Sequence, residues 1–170
     1  MLIEVKVQSL GLDRSTSDPV VILKEADGPR VLPIWIGPGE ASAIAIRLAG
    51  MEFPRPLTHD LLSNILAGLG GELRRVLITR MDNDTYFAEL IIHRNGEVFS
   101  VDARPSDSIA FALRTEAGIF ADDSLLEHAH VDMAEDGEAS DQESGETLDP
   151  QSLQDYLKKL NPEDFGRFTP

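Results

Sequence analysis

The chain has 170 residues, 42% of them hydrophobic, a size that suits one domain with an appendage. It contains no cysteine, which excludes disulfides and thiolate metal sites and leaves His, Asp and Glu as the strong side-chain ligands. Its net charge of −15, from 15 basic and 30 acidic residues, is the reverse of the basic balance by which proteins usually neutralise nucleic-acid phosphates.

The acidity is spread along the chain. Residues 1–131 hold 12 basic and 19 acidic residues, or −7, and the remainder holds 3 and 11, or −8. Lys is scarce, at 4 against 11 Arg, a surface suited to a salt-rich interior where repulsion is screened. No stretch approaches the roughly 18 to 20 apolar residues of a membrane span, and the opening MLIEVKVQSL reads as a strand rather than a targeting segment. The expected setting is the cytoplasm, with no membrane partner.

Taken in order, Leu2 to Leu10, Val20 to Lys24 and Val31 to Ile36 are rich in Val, Ile and Leu with partial alternation, and Asp27-Gly28 marks a turn before the third run. Three strands are expected there. PGEASAIAIRLAG changes to a helical period. A second helix is expected in RPLTHDLLSNILAGLGG, with Thr58 as N-cap, Leu61, Leu62, Ile65, Leu66 and Leu69 on one stripe and Gly70 as the stop. Glu72 to Thr79, Tyr86 to His93 and Glu97 to Val101 predict three more strands with a turn at Asn95-Gly96, and a third helix starts at Pro105.

An offset of 67 residues lays one half over the other, pairing Pro38 with Pro105, Glu40 with Asp107, Ala43 with Ala110, Ala45 with Ala112 and Arg47 with Arg114. The fold expected is α+β, with two tandem βββαα repeats sharing a mostly antiparallel sheet packed against helices. This domain is assigned to residues 1–131. Residues 132–148 form an acidic linker expected to be disordered. Residues 149–170 begin with a short amphipathic segment carrying Leu153, Tyr156, Leu157 and Leu160 at helical spacing, whose partner is expected to be this domain or another subunit.

Hydrolysis of a phosphodiester needs a positioned water, charge stabilisation on the non-bridging oxygens and help for the leaving oxygen. Asp102, Arg104 and Asp107 lie within six residues, and at the repeat offset they face Trp35, Gly37 and Glu40. Asp102 and Arg104 therefore break the internal symmetry that Asp107 obeys. Asp107 and Glu40 also fit the third position of a helix, where a carboxylate complements free N–H groups. For Asp102 and Arg104 a mutual ion pair stands beside a phosphate-facing role.

His59 and Asp60 follow Thr58 at a helix start, with Arg55 just before, where a phosphate can be held and a His can act as base; solvated first-turn residues are the plain alternative. His93, His128 and His130 read as surface. Arg74, Arg75, Arg80 and Arg94 could form a basic stripe, but strand parity puts Arg74 and Arg80 on one face and Arg75 on the other. Trp35 reads as core or subunit contact rather than a base-stacking residue.

The stretches VLPIWIGPGEASAIA, RPLTHDLL, LGGELRRVLITRM and VDARPSDSIAFALR together resemble the bifunctional nuclease family, in the family's order and over nearly all of residues 1–131. The resemblance implies cleavage of DNA and RNA and brings no fixed catalytic set. The candidates drawn from this chain's own residues are Asp102, Asp107, His59 and Glu40 as catalytic groups, with Arg104, Arg55 and Asp60 binding substrate. Asp102 and Asp107 are the candidate ligands for Mg²⁺, and no organic cofactor is expected. The alternative is a non-catalytic protein-binding or regulatory module with an acidic tail; a small-ligand site in IWIGPGE is a third. Unpaired sheet edges and an apolar helix stripe favour a homodimer.

Overall fold

The computed structural model describes residues 1–13 and 16–126. The domain boundary at residue 131, the acidic linker, the C-terminal segment, His128 and His130 lie outside the described residues. The chain runs β1 (Leu2–Leu12), β2 (Pro19–Glu25), β3 (Val31–Trp35), α1 (Pro38–Leu48), α2 (Thr58–Gly68), β4 (Gly71–Asp82), β5 (Thr85–Arg94), β6 (Glu97–Ala103), α3 (Pro105–Thr115) and β7 (Gly118–Asp122). Residues 123–126 are helical.

The strands form one seven-stranded sheet in the order β3-β2-β1-β7-β4-β5-β6. Every pairing is antiparallel except β4 with β7. The expected hairpins form: Asn95 and Gly96 take φ of 52° and 82°, and Asn83 and Asp84 close the β4–β5 hairpin at 48° and 59°. The mixed α+β class and the mostly antiparallel sheet agree with the sequence.

The βββαα detail does not hold for the second half as described. Beyond α3 the chain returns as a strand, β7, where no strand is expected from the sequence. Ile119 pairs with Val5 on one side and Val76 on the other, and Ile119 and Ala121 are buried. The two halves thus share a sheet through an inserted parallel strand. The α3-to-β7 link is tight because Glu116 takes the left-handed conformation, φ 57°, and the Ala117 N–H returns to the Ala112 carbonyl at 3.2 Å.

The core lies between one face of the sheet and the helices. Val5, Val21, Leu23, Leu32, Val76, Ile78 and Ala88 from the strands meet Ile44, Ala45, Ile109 and Phe111 from α1 and α3. Alternation explains these strand positions, and apolar small residues let α1 and α3 approach. Trp35 is not core: it is 53% exposed on edge strand β3, with its indole N–H donated to Asp13 at 3.0 Å.

Two corrections follow from backbone detail. The residue capping α2 is Leu57, so Thr58 is the first helical residue; Gly70 does end the helix, with φ 73°. In β4, bulges between Leu73 and Arg75 and between Ile78 and Arg80 each move the parity by one. Arg75 and Arg80, opposite Ile91 and Phe87, therefore face the same side of the sheet, away from the helices, with Arg80 3.7 Å from the Phe87 ring centre. Arg74 is the bulged residue and pairs with Glu72 at 2.8 Å.

Candidate active site

Helices α1, α2 and α3 each carry an acid at the third position: Glu40, Asp60 and Asp107. Pro38 and Pro105 open α1 and α3, where a missing N–H costs nothing and the ring presets the backbone. The acids sit near the positive end of each helix dipole, but their side chains do more than complement it. They are the nodes of one network that draws the three helix starts together.

Asp107 is the centre of that network. One carboxylate oxygen lies 3.1 Å from His59 Nε2, and the other accepts from Arg104 Nε at 2.8 Å. Arg104 also reaches Glu40 Oε1 at 2.8 Å, joining α3 to α1. Beside it, Arg114 is 5% exposed and donates to Asp60, to the Ala110 carbonyl at 2.8 Å and to the Ala43 carbonyl at 3.2 Å, so one guanidinium holds all three helices. Its repeat counterpart, Arg47, donates to the Leu113 carbonyl at 3.1 Å.

Glu40, Ser42, His59, Arg104, Asp107 and Arg114 are among the residues lining a cleft of about 540 Å³. The lining holds two arginines and a histidine against two acids, so it departs from the net negative charge of the rest of the chain. Burial pushes the Asp107 carboxyl up, but hydrogen bonds from Arg104 and then His59 outweigh it and hold the group below the usual carboxylate range. Asp60 is likewise lowered: burial raises it, and the Leu57 N–H and Arg114 overcome that. Arg104 is raised, first by its hydrogen bond to Asp107.

With Asp107 ionised, His59 Nε2 carries the proton of their hydrogen bond, and Nδ1 of the neutral ring holds the lone pair. A histidine oriented by a carboxylate beside an exposed arginine can take a proton from water and hold a phosphate oxygen. Both Asp107 oxygens are already engaged, so a cation there would have to displace Arg104 or His59. Among the described residues no group of three or more His, Asp or Glu side chains is arranged to hold a metal ion.

The structure thus brings Glu40, His59, Arg104 and Asp107 together, and leaves other candidates apart. Asp102 is exposed on β6 opposite Glu89 and does not line the cleft. The ion pair considered between Asp102 and Arg104 is not formed; Arg104 turns to Asp107 and Glu40 instead. Arg55 is exposed in the segment before α2 and is not part of the lining, and Asp60 is committed to Leu57 and Arg114 behind it. Arg114 had no functional reading in the sequence, although its pairing with Arg47 in the repeat was a signal.

Comparison with known proteins bears on the family of the chain. The bifunctional nuclease domain family matches residues 21–134. An uncharacterized protein of Mycobacterium tuberculosis is 38% identical over 162 residues, covering 95% of this chain and 97% of the relative. Bifunctional nuclease 1 of Arabidopsis thaliana is 28% identical over 126 residues, 72% of this chain and 39% of the plant protein. Bifunctional nuclease 1 of Oryza sativa is 30% identical over 114 residues, 65% of this chain and 34% of the relative. No helix among the described residues is long and apolar enough to cross a membrane. The chain belongs to the bifunctional nuclease domain family.

Proposed function

We propose that the cleft at the three helix starts hydrolyses phosphodiester bonds of DNA and RNA with low sequence specificity. The observation that supports this is the connected set His59–Asp107–Arg104–Glu40, an imidazole hydrogen-bonded to a carboxylate beside an exposed guanidinium. Arg104 takes a non-bridging phosphate oxygen. His59 Nδ1 accepts a proton from water as its oxygen bonds to phosphorus, one bridging P–O bond breaks, and the leaving oxygen is protonated from His59 or solvent. Glu40 and Asp107 orient Arg104 and His59 from the helix ends. Low specificity follows from recognition of the backbone alone, with few aromatics to stack on bases.

The test is cleavage of labelled single- and double-stranded DNA and RNA at low and high salt, with and without Mg²⁺, by the parent protein and by His59→Ala and Arg104→Ala. Cleavage by the parent alone supports the reading. Equal cleavage by all three would place the activity elsewhere, and dependence on Mg²⁺ would assign the carboxylates of Asp107 and Glu40 to an ion that enters when substrate draws Arg104 away. Absence of cleavage under every condition would favour a non-catalytic binding module. A homodimer is proposed through edge strand β6, where Val98 is 61% exposed and Phe99 and Val101 are above 40%; light scattering after size exclusion tests it.

A further inference from the structure

The network that builds the cleft also fixes which side of α2 faces inward, and it is the polar side. His59, Asp60, Ser63 and Leu66 are the half-buried residues of this helix, and none of its residues is buried. Of the apolar stripe legible in the sequence, Leu66 alone packs against the core, and the rest points outward: Leu61 is 50% exposed, Leu62 40%, Ile65 50% and Leu69, just past the helix, 59%. Single exposed leucines are ordinary, but a helix that turns only Leu66 of its stripe to the core and leaves four neighbouring apolar side chains open, while its polar side is tied down, is a surface built to be covered.

We infer that residues 149–160 of the same chain, DPQSLQDYLKKL, cover this stripe. Leu153, Tyr156, Leu157 and Leu160 recur at helical spacing, and their rows four residues apart match the Leu61–Ile65–Leu69 row of α2, the arrangement by which two helices interlock ridges into grooves. Such a short segment gains its order from a partner surface. The 22 residues from 127 to 148 span up to about 70 Å when extended, so the tether reaches any part of a domain whose radius of gyration is about 14 Å. The Mycobacterium tuberculosis relative matches over 95% of this chain, whereas the family's domain ends at residue 134; a segment following the domain is thus common to both chains.

The absence of cysteine lets two introduced thiols be labelled alone. Spin labels at Asn64→Cys and Gln154→Cys in the full chain, read by pulsed electron paramagnetic resonance, give a narrow distance distribution of roughly 15–30 Å if the two helices pack. The peak persists on dilution with unlabelled chain and broadens when Leu153→Asp and Leu157→Asp, or Ile65→Glu, are added, while amide protection of β4 and β5 shows that the domain is still folded. A broad distribution in the labelled parent overturns the docking. A narrow peak that disappears on dilution with unlabelled chain overturns it in favour of a second copy as the occupant. Neither result depends on hydrolytic activity.

Discussion

Arg104 caps α3 at the position where Gly37 caps α1, and from there its guanidinium reaches Glu40 at 2.8 Å, joining the two acids that the internal repeat pairs. A glycine cap leaves the first helix start bare, and the arginine at the equivalent place serves both. The side chain is 67% exposed, so its ion pairs contribute little to stability, on the order of 1 kcal/mol or less. Arg104→Ala is expected to lower cleavage about a hundredfold or more while moving the melting temperature by only a few degrees. Arg104→Lys should recover only part of the activity, because an ammonium cannot reproduce the fork that now spans Glu40 and Asp107. Rates and thermal unfolding of the two variants check this.

His59→Gln is expected to lose about 10² to 10⁴ in rate, the range for removal of a general base. Asp107→Asn keeps the shape of the network but offers His59 an acceptor without charge; a loss smaller than that of His59→Gln is expected. Cleavage rates beside thermal unfolding of each variant distinguish a base from a residue that only supports the fold.

Asp102→Ala should leave cleavage within about twofold of the parent, since the residue stands on the exposed edge strand outside the cleft and a solvated surface change costs little. A large loss with a folded variant would move the active site toward β6.

The contrast between Asp102 and Arg104 shows what could be read from the sequence. Both break the repeat, and only one faces the cleft, because the chain turns from β6 into α3 between them and strand and helix send their side chains in different directions. The strands, hairpin turns and proline-opened helices were legible because periodicity and turn chemistry are local. β7 was not: GIFAD is five residues long, and the helix before it ends at a left-handed Glu116, without the glycine that signals such a stop. The shared facing of Arg75 and Arg80 depends on the bulge between Ile78 and Arg80, which no alternation pattern reveals. The orientation of α2 was hidden for a different reason: its apolar stripe predicts burial against its own domain, and contacts from residues 48 and 54 positions further along the chain, Asp107 to His59 and Arg114 to Asp60, hold the other side inward.

Arg114 should be the position of greatest structural cost in the cleft. Removing a side chain that is 5% exposed leaves Asp60 without its ion pair and takes a second donor from the Ala43 carbonyl, so Arg114→Ala is expected to destabilise the fold by about 3 kcal/mol. Because the same guanidinium ties α2 to α1 and α3, hydrogen exchange in α2 should accelerate more than in the β4–β5 hairpin. Uniform acceleration would mean that Arg114 supports the whole domain rather than the placement of α2.

The network also sets the response to acid. Asp60 and Asp107 have carboxyls held below their ordinary range, so near and below the unfolded value of about 3.9 the unfolded chain binds more protons than the folded one. Stability from these two groups is therefore fully present above that value and is lost as pH falls through the lowered folded values. Asp107 is 33% exposed and Asp60 37%, so solvent screening keeps each contribution modest. Denaturant unfolding followed from pH 6 to pH 3 should show the parent losing stability at the acid end more steeply than Asp107→Asn, which has no proton to take up at that site. Equal slopes for the two proteins would show that the hydrogen bonds from Arg104 and His59 to Asp107 do not persist in solution, and the proposed orientation of His59 would fail with them.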